Sequence, residues 1–208
     1  MSIISSSGLI TWTPTSDGDY DVTVKVVDNG SPVLDDSQSF TITVEEPGTY
    51  SLRDIGPAGG YIFYDKGFYS DGWRYLEAAP VSTEWTDIEW GSYGTWIGGT
   101  GMGIGTGQNN TSTIVSWLNS HGEEGKAAQF CDALVYGGYS DWFLPSKDEL
   151  NLMYTNLKVA GVGGFAVFFY WSSSELDAYF AWIQDFGNSL QGSFGKSGTV
   201  RVRAVRVF

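Results

Sequence analysis

The residue types that most often perform chemistry are scarce in this chain, which has one histidine, His121, and one cysteine, Cys131. A structural zinc site needs about four ligands, drawn mainly from these two types, so this pair does not supply one. His121 precedes Gly122 in a predicted turn, and no Gly-x-Ser-x-Gly elbow accompanies it to indicate a Ser-His-Asp triad. We predict an exposed turn histidine. The lone cysteine cannot form an internal disulfide, and its helical spacing predicts a buried apolar role.

A glycine-rich run over residues 98–107 is the other feature that could bind a ligand by chemistry, because such loops can cradle phosphate. The run lacks both the Gly-Lys-Ser/Thr ending and the Gly-x-Gly-x-x-Gly spacing that phosphate loops use. We therefore predict a tightly turning scaffold loop. Since no catalytic constellation emerges elsewhere, the sequence predicts a protein that is not an enzyme.

Composition and charge restrict the classes of partner. Of the 208 residues, 42% are hydrophobic and 17% charged, which is typical of a folded chain. The net charge is −13. Such an excess of acid opposes nucleic-acid binding, and it opposes attachment to anionic lipid through a basic patch. No apolar run approaches the roughly 20 residues of a membrane helix, so we expect no membrane insertion.

Residues 1–47 show the alternating pattern of β-strands. Apolar residues at 20, 22, 24 and 26, and again at 40, 42 and 44, alternate with polar ones. The segment 28–32 (DNGSP) is a strong turn signal between them. With residues 9–14, these strands resemble the closing strands of an immunoglobulin-like module. We count three or four strands where such a module has about seven, so we predict a partial β-sandwich acting as a spacer. Residues 45–49 are the predicted linker.

Residues 48–208 mix short strands, helices and long loops, which predicts an α+β domain. Strands are predicted at 61–64, 73–79, 170–175 and 200–208, with a loop rich in Trp and Gly at 81–110. Helices are predicted at about 112–119 and 123–136. A third helix should begin at Ser146, which forms a Ser-x-x-Glu capping box with Glu149. In the last strand the apolar phase changes after Ala204, which indicates a bulge or burial on both faces.

The ending of the chain has an unusual texture. Between residues 176 and 198, fixed-looking residues alternate with a miscellany of small, apolar and polar types. The motifs that frame it lie at 56–60, 138–150, 161–165, 170–175, 181–182, 186, 196 and 203–206. With these motifs the chain resembles the variable proteins of diversity-generating retroelements, and the related lectin-like domains of collagen-like adhesins. The resemblance covers nearly all of residues 50–208. It implies a C-type lectin-like fold with a variable region at about 166–208.

The miscellaneous positions offer an internal check on diversification. In these systems template adenines are randomised, and the favoured asparagine codon then yields residues such as Leu, Asp, Tyr, Phe, Ile, Gly, Ser, Asn or Val, but not Trp, Gln, Glu, Lys or Met. All sixteen miscellaneous positions belong to the permitted set, whereas Glu175, Trp182, Gln184, Gln191 and Lys196 stand where the family expects fixed residues. A surface loop rich in Gly and Ser would often show the same composition, so that alternative stays open.

The resemblance implies a non-catalytic, hypervariable ligand-binding protein in receptor or adhesion roles, displayed on a virion or cell surface. The chain opens with no signal peptide, so this location rests on the resemblance alone. The alternatives are a fixed-specificity glycan-binding adhesin and a purely structural surface module. We predict that a protein or cell-surface ligand, or a glycan, contacts the following residues: Leu176, Asp177, Tyr179, Phe180, Ile183, Asp185, Asn188, Leu190, Ser193, Phe194 and Ser197. From the same stretch, Trp171, Trp182 and Phe186 are predicted to lie in the core.

The arginines and the acidic loops are assigned other roles. Arg201, Arg203 and Arg206 are predicted to tie loops together through carboxylates and carbonyls. The calcium-and-sugar motifs of animal C-type lectins are absent from the lectin-like domain, and a calcium ion usually takes six to eight oxygens. No metal or cofactor is therefore predicted, although the sequence leaves room for a structural calcium ion in the acidic loops.

Overall fold

The computed structural model describes residues 2–4, 9–12, 18–44 and 48–208, and it divides the chain into two compact units, Met1–Thr49 and Tyr50–Phe208. Most of the predicted linker, residues 45–47, lies outside the described residues, as do residues 13–14 of the first predicted strands.

The first unit contains two antiparallel strand pairs. The strands are β1 (Ser2–Ile4), β2 (Leu9–Thr11), β3 (Gly18–Val27) and β4 (Asp35–Val44). In the turn between β3 and β4, the Asp28 carboxylate accepts hydrogen bonds from the Gly30 and Leu34 N–H groups, which confirms the predicted turn. Among the described residues of this unit, only Val22 is a buried hydrophobic residue, while Val26 and Phe40 are exposed. Tyr20, Val24, Ile42 and Val44 are half-buried between exposed polar neighbours, so the predicted half-buried faces are confirmed except at Val26 and Phe40.

The second unit is an α+β domain with more strand than helix. Its strands are β5 (Tyr61–Ser70), β6 (Trp73–Ala78), β7 (Trp85–Glu89), β8 (Phe169–Glu175), β9 (Phe180–Asp185), β10 (Gln191–Gly195), β11 (Thr199–Val202) and β12 (Val205–Val207). Its helices are α1 (Gly107–Ser120), α2 (Ala127–Asp132) and α3 (Lys147–Met153), with a 3-10 turn at Val81–Thr83 and a π-helical turn at Tyr154–Lys158.

Two sheets organise this unit. One has the strand order β10-β9-β8-β11-β7 and the other β12-β6-β5. Within them, β11 runs parallel to β8, through the single pairing of Arg201 with Tyr170, and every other pairing is antiparallel. One hydrophobic cluster packs α1 and α2 against the larger sheet, and a second packs α3 against the smaller one.

The path of the last residues explains why the apolar alternation changes phase after Ala204. Residues after Val202 leave the larger sheet, and β12 joins the smaller one by pairing Val205 with Ala78. Val202, Arg203, Ala204 and Val205 are all buried, because the chain passes between the two clusters. Burial on both faces is therefore confirmed, and the change of sheet accounts for it without a bulge after Ala204.

The predicted boundaries of some helices and loops were wrong. Helix α1 begins five residues before the predicted start at 112, and α2 covers only six of the fourteen residues predicted for 123–136. After the second helix the Leu134 N–H bonds to the Cys131 carbonyl, and Tyr136 and Tyr139 exchange backbone hydrogen bonds around Gly137, which has φ +63°. The loop predicted at 81–110 contains β7, and the stretch 176–198 contains the hairpin β9–β10.

Glu77 organises the turn at residues 56–60. Its carboxylate accepts hydrogen bonds from the Gly60 N–H at 2.7 Å and the Ala58 N–H at 3.3 Å. A Cβ at Gly60 would lie 2.1 Å from the Ala78 carbonyl oxygen, so this position admits only glycine. The turn is thereby closed against β6.

The capping box at the start of α3 is confirmed. The Ser146 hydroxyl accepts from the Glu149 N–H at 3.3 Å, and the Glu149 carboxylate accepts from the Ser146 N–H at 2.7 Å. The same carboxylate also accepts from Gly105 and Gly107 N–H groups, so it joins the glycine-rich loop to the helix. Burial raises the pKa of Glu149 above its ordinary value, although these hydrogen bonds act in the opposite direction.

The raised pKa predicts how stability varies with pH. A carboxyl whose folded-state pKa is raised binds more protons in the folded state, so the free energy of unfolding falls as pH rises from the ordinary 4.5 through the raised value. Glu149→Gln should flatten this fall, leaving the part that Glu77, whose pKa burial also raises, contributes. Urea unfolding at a series of pH values measures the slope. Asp148→Asn, half-buried in the same turn, is the matched control; an unchanged slope in Glu149→Gln contradicts the prediction.

Candidate functional site

The hairpin β9–β10 carries most of the stretch in which fixed and miscellaneous residues alternate. Several of the fixed-looking residues there turn inward: Ala181, Gln184, Phe186 and Lys196 are buried, while Trp182 and Gln191 are half-buried. Most of the miscellaneous positions turn outward. The apolar ones, Leu176, Tyr179, Phe180, Leu190 and Phe194, are between 38% and 67% exposed. The polar ones divide between exposed Asn188, Ser193 and Ser197 and half-buried Asp177 and Asp185.

Ile183 corrects the prediction of ligand contact. Its side chain is only 5% exposed and packs in the first hydrophobic cluster with Trp171 and Ala181. Alternation along β9 sends Ala181 and Ile183 to the covered face of the sheet, so Ile183 cannot reach a ligand. Trp182 was predicted to lie in the core, and this prediction was wrong. It points away from that cluster and stays half-exposed, with the Lys147 ammonium 4.5 Å from its ring.

The predicted contact residues gather at two ends of the hairpin instead of at one point. At one end the Lys196 N–H donates to the Tyr179 carbonyl, which brings the turn 176–179 beside the turn 195–198. Asn188 and Leu190 lie in the opposite turn, about 17 Å away at 3.3 Å per residue along β9. Phe194 projects toward Trp171, with ring centroids 6.0 Å apart, and Ser193 lies on the other face. Tyr179, Phe180 and Ser197 are thus brought together, and Leu190 is not.

Three of the predicted polar contacts shape the turns themselves. The Asp177 carboxylate accepts from the Tyr179 and Phe180 N–H groups at 2.7 and 2.9 Å. In the other turn Asp185 accepts from Gly187 N–H at 2.7 Å, and the Asn188 side-chain oxygen accepts from Leu190 N–H at 3.0 Å. These short side chains replace backbone partners in tight turns, so they position their neighbours.

Two exposed aromatic side chains beside this end of the hairpin were missed. Tyr93 stands edge-on to Tyr179, with ring centroids 5.4 Å apart, and both Tyr93 and Trp96 are 58% exposed. They belong to the loop that the sequence marks as rich in Trp and Gly. Its lack of a strand or helix period left no signal for which rings face outward. The aromatic surface at this end therefore combines residues from two distant parts of the chain.

A buried ion pair holds this end of the unit together. The Lys196 ammonium lies 2.5 Å from a Glu175 carboxylate oxygen, and both side chains are fully buried. Lys196 also donates to the Thr95 carbonyl, while Glu175 accepts from the Ile97 and Gly98 N–H groups at 2.9 and 2.8 Å. Burial lowers the pKa of Lys196, against the raising effect of Glu175. The pair thus fixes the loop of Tyr93 and Trp96 to the turn beside Tyr179.

The arginines near the end of the chain are structural, as predicted. Glu84 accepts from Arg201 and Arg203, each at 2.5 Å, and from the Tyr170 hydroxyl at 2.7 Å. Arg206 forms a bidentate pair with Asp141 at 2.8 and 2.9 Å.

The residues that could do chemistry are engaged in packing. Cys131 is buried, and burial raises the pKa of its thiol, which disfavours the reactive thiolate. The exposed His121 stacks on Trp117 with ring centroids 3.9 Å apart. In the described ranges no three His, Cys, Asp or Glu side chains are grouped to hold a metal ion. The helices described there are all too short or too polar to span a membrane.

Comparison with known proteins identifies the family. The chain belongs to the Lcl C-terminal domain family, whose model matches residues 81–206, more than half of its length. A family model for an Ig domain matches residues 1–45. Together the two matches confirm the resemblance inferred from the motifs, to lectin-like variable proteins preceded by part of an immunoglobulin-like module.

A comparison with solved structures gives a distant similarity. A fimbrial protein from Bacteroides ovatus ATCC 8483, known from a crystal structure, is 14% identical to this chain with a TM-score of 0.48. The similarity covers 65% of this chain and 36% of that one, so the chain spans about a third of the fimbrial protein's length. Among curated proteins, no match was found.

The buried pair predicts a large stability effect. Lys196→Met should leave the Glu175 carboxylate buried without its cation and lower the free energy of unfolding by about 3–5 kcal/mol. Lys126→Met is the matched control, because its pair with Glu89 is partly exposed and should contribute about 1 kcal/mol or less. Urea unfolding of both variants measures the difference. Equal losses would show that the buried pair does not hold the frame.

Proposed function

We propose that this protein is a non-catalytic ligand-binding protein with a C-type lectin-like domain, whose exposed hairpin surface is diversified to select its partner. The partner we propose is a protein on another cell or particle, contacted while this protein is displayed on a virion or cell surface. The two end turns of the β9–β10 hairpin, with Tyr93 and Trp96 beside one of them, form the binding surface.

One observation carries this proposal. Fifteen of the sixteen miscellaneous positions between Leu176 and Gly198 are exposed or half-buried, whereas most of the fixed-looking ones, including Gln184, Phe186 and Lys196, are buried. Substitution at a buried position commonly costs several kcal/mol, while exposed positions tolerate change within about 0.5 kcal/mol. A surface that varies without unfolding its frame needs this separation. Among the permitted residues only Ile183 departs from it, and among the fixed-looking ones Trp182 and Gln191 are half-buried.

The chemistry of the exposed residues supports binding to a protein. Tyr and Trp rings provide large rigid contact areas with few rotatable bonds, and they are common anchors at protein interfaces. Tyr179, Phe180, Tyr93 and Trp96 expose such rings at one end. The Asp177 turn and the Glu175–Lys196 pair restrain the backbone beneath them, so little conformational entropy is lost on binding.

Removing the exposed apolar side chains tests the proposal. The triple variant Tyr179→Ala, Phe180→Ala and Leu190→Ala should weaken partner binding by at least about 30-fold, the loss expected for interface anchors. Each substitution should change the free energy of unfolding by about 1 kcal/mol or less. A partner is first selected from an array of cell-surface proteins, with a glycan array in parallel. Titration of the selected partner by calorimetry then compares the variant with the wild type.

The matched control replaces two exposed valines outside the hairpin, Val135→Ala and Val159→Ala, and should bind the partner as wild type does. Glycan binding that survives the triple variant would support a fixed-specificity glycan adhesin instead. Unfolding of the triple variant would show that the surface belongs to the frame, which also contradicts the proposal.

Diversification predicts a feature of the source DNA. The coding region for the variable stretch should have a near-identical template repeat close by, differing at adenines, together with a reverse transcriptase gene. Sequencing the flanking DNA measures this directly. The differences should fall on codons such as those of Tyr179 and Leu190, and spare those of Gln184 and Lys196. A neighbourhood with neither repeat nor enzyme contradicts diversification while leaving ligand binding untouched.

A further inference from the structure

A groove of about 440 Å³ opens on the larger sheet. This volume falls within the range of about 300–1,000 Å³ that ligand sites occupy. The residues that line it come from four strands and the segment before β8, and they are Thr86, Asp87, Phe168, Phe169, Phe194, Thr199, Val200 and Arg201.

The groove arises because the sheet is joined loosely at its middle. Strands β8 and β11 share the single pairing of Arg201 with Tyr170, and Phe168 and Phe169 precede it in the chain. Their rings are 60% and 43% exposed. Phe194 approaches from β10 at 40% exposure. The result is a phenyl-lined wall with open space beside it.

Asp87 enters the groove from an irregularity in β7. The pairings of Val200 with Ile88 and of Val202 with Trp85 differ by one residue, so β7 contains an extra residue opposite Arg201. Asp87 has φ +59° at this bulge. Bulges redirect side chains, and aspartate is one of the few residues that tolerate this backbone conformation. Within the described part of the chain, the exposed Asp87 carboxylate has no hydrogen bond or ion pair.

The other charged residue of the groove is already engaged. Arg201 donates to Glu84 at 2.5 Å, and its guanidinium carbon lies 5.0 Å from the centre of the Phe168 ring. Asp87 is therefore the groove's uncommitted charge, and it stands near rings whose faces attract cations. Residues 50–208 hold sixteen acidic and ten basic residues, a net charge of −6, which favours the approach of a cation.

We propose that this groove binds a lysine or arginine side chain of a partner protein. The aliphatic stem would lie against Phe169 and Phe194, and the charged end would meet the Asp87 carboxylate. A macromolecular partner fits better than a free amine, because apolar surface continues beyond the groove at Val167, which is highly exposed.

This site is separate from the diversified surface proposed above. Thr86, Asp87, Phe168 and Phe169 lie outside residues 176–198, and only Phe194 belongs to both sets. Docking at Asp87 and Phe169 therefore does not depend on the residues of the two variable turns, whereas a change at Phe194 would alter one wall of the groove. The variant lacking Tyr179, Phe180 and Leu190 should keep this binding, which lets the two proposals fail independently.

Titration of the full chain with two tripeptide probes tests the site. Acetyl-Gly-Lys-Gly-amide should bind about tenfold more tightly than the same peptide with norleucine, because a partly exposed charge pair and a cation–π contact each contribute several-fold. Amide chemical shifts of the isotope-labelled protein report the binding, with changes expected at Asp87 and Phe169. The arginine peptide should behave like the lysine peptide.

Asp87→Asn is the decisive variant, because asparagine also tolerates positive φ and removes only the charge. It should abolish the preference for lysine over norleucine. Asp71→Asn is the matched control, since Asp71 is an exposed aspartate with φ +53° in the turn between β5 and β6, and it should keep the preference. Phe169→Ala should weaken both peptides. Equal binding of the two peptides by the wild type, or an unchanged preference in Asp87→Asn, would overturn the proposal.

Discussion

The buried pair of Glu175 and Lys196 is the constraint on which the rest of the second unit depends. Two charges removed from water are stable only when their remaining hydrogen-bonding groups are also satisfied. Here the loop backbone supplies those partners, at Thr95, Ile97 and Gly98. The requirement joins three segments that are distant in the sequence. A loop with almost no regular structure thereby acquires one conformation, because any other would leave a charge buried without partners.

This constraint explains how the unit could vary the surface that we propose is diversified. The turn of Tyr179 is held from below by the Lys196 N–H and from within by the Asp177 carboxylate. Neither contact depends on the side chains of Tyr179 or Phe180, which point outward. Their identities can change while the backbone stays in place. Such a change would carry little cost in stability, which is the property that the proposed function requires.

The same use of buried charge recurs on the other side of the sheet. Glu84 binds two arginines and the Tyr170 hydroxyl, and so ties β11 to the segment before β7. Arg201 is consequently engaged in the frame, although its side chain borders the groove. Asp87, in the β7 bulge opposite Arg201, has no such partner within the described residues. Paired buried charges therefore stabilise the frame around Lys196 and around Glu84. The unpaired carboxylate of Asp87 lies where we propose that a basic side chain binds.

Local features were determined by the sequence. The capping box of Ser146, the turn at Asp28 and the burial of Cys131 all follow from near neighbours in the chain. The separation of the fixed-looking positions from those proposed to vary also follows from the sequence, through motifs that match the family. The tertiary structure decided which face of each strand is covered. Ile183 belongs to the permitted set yet lies in the core, because helices distant in the sequence pack over its face of β9. Trp182 lies on the other face and stays half-exposed, although Gln184 on that face is buried. The groove at Asp87 likewise depends on how β8 and β11 meet, which no local pattern encodes.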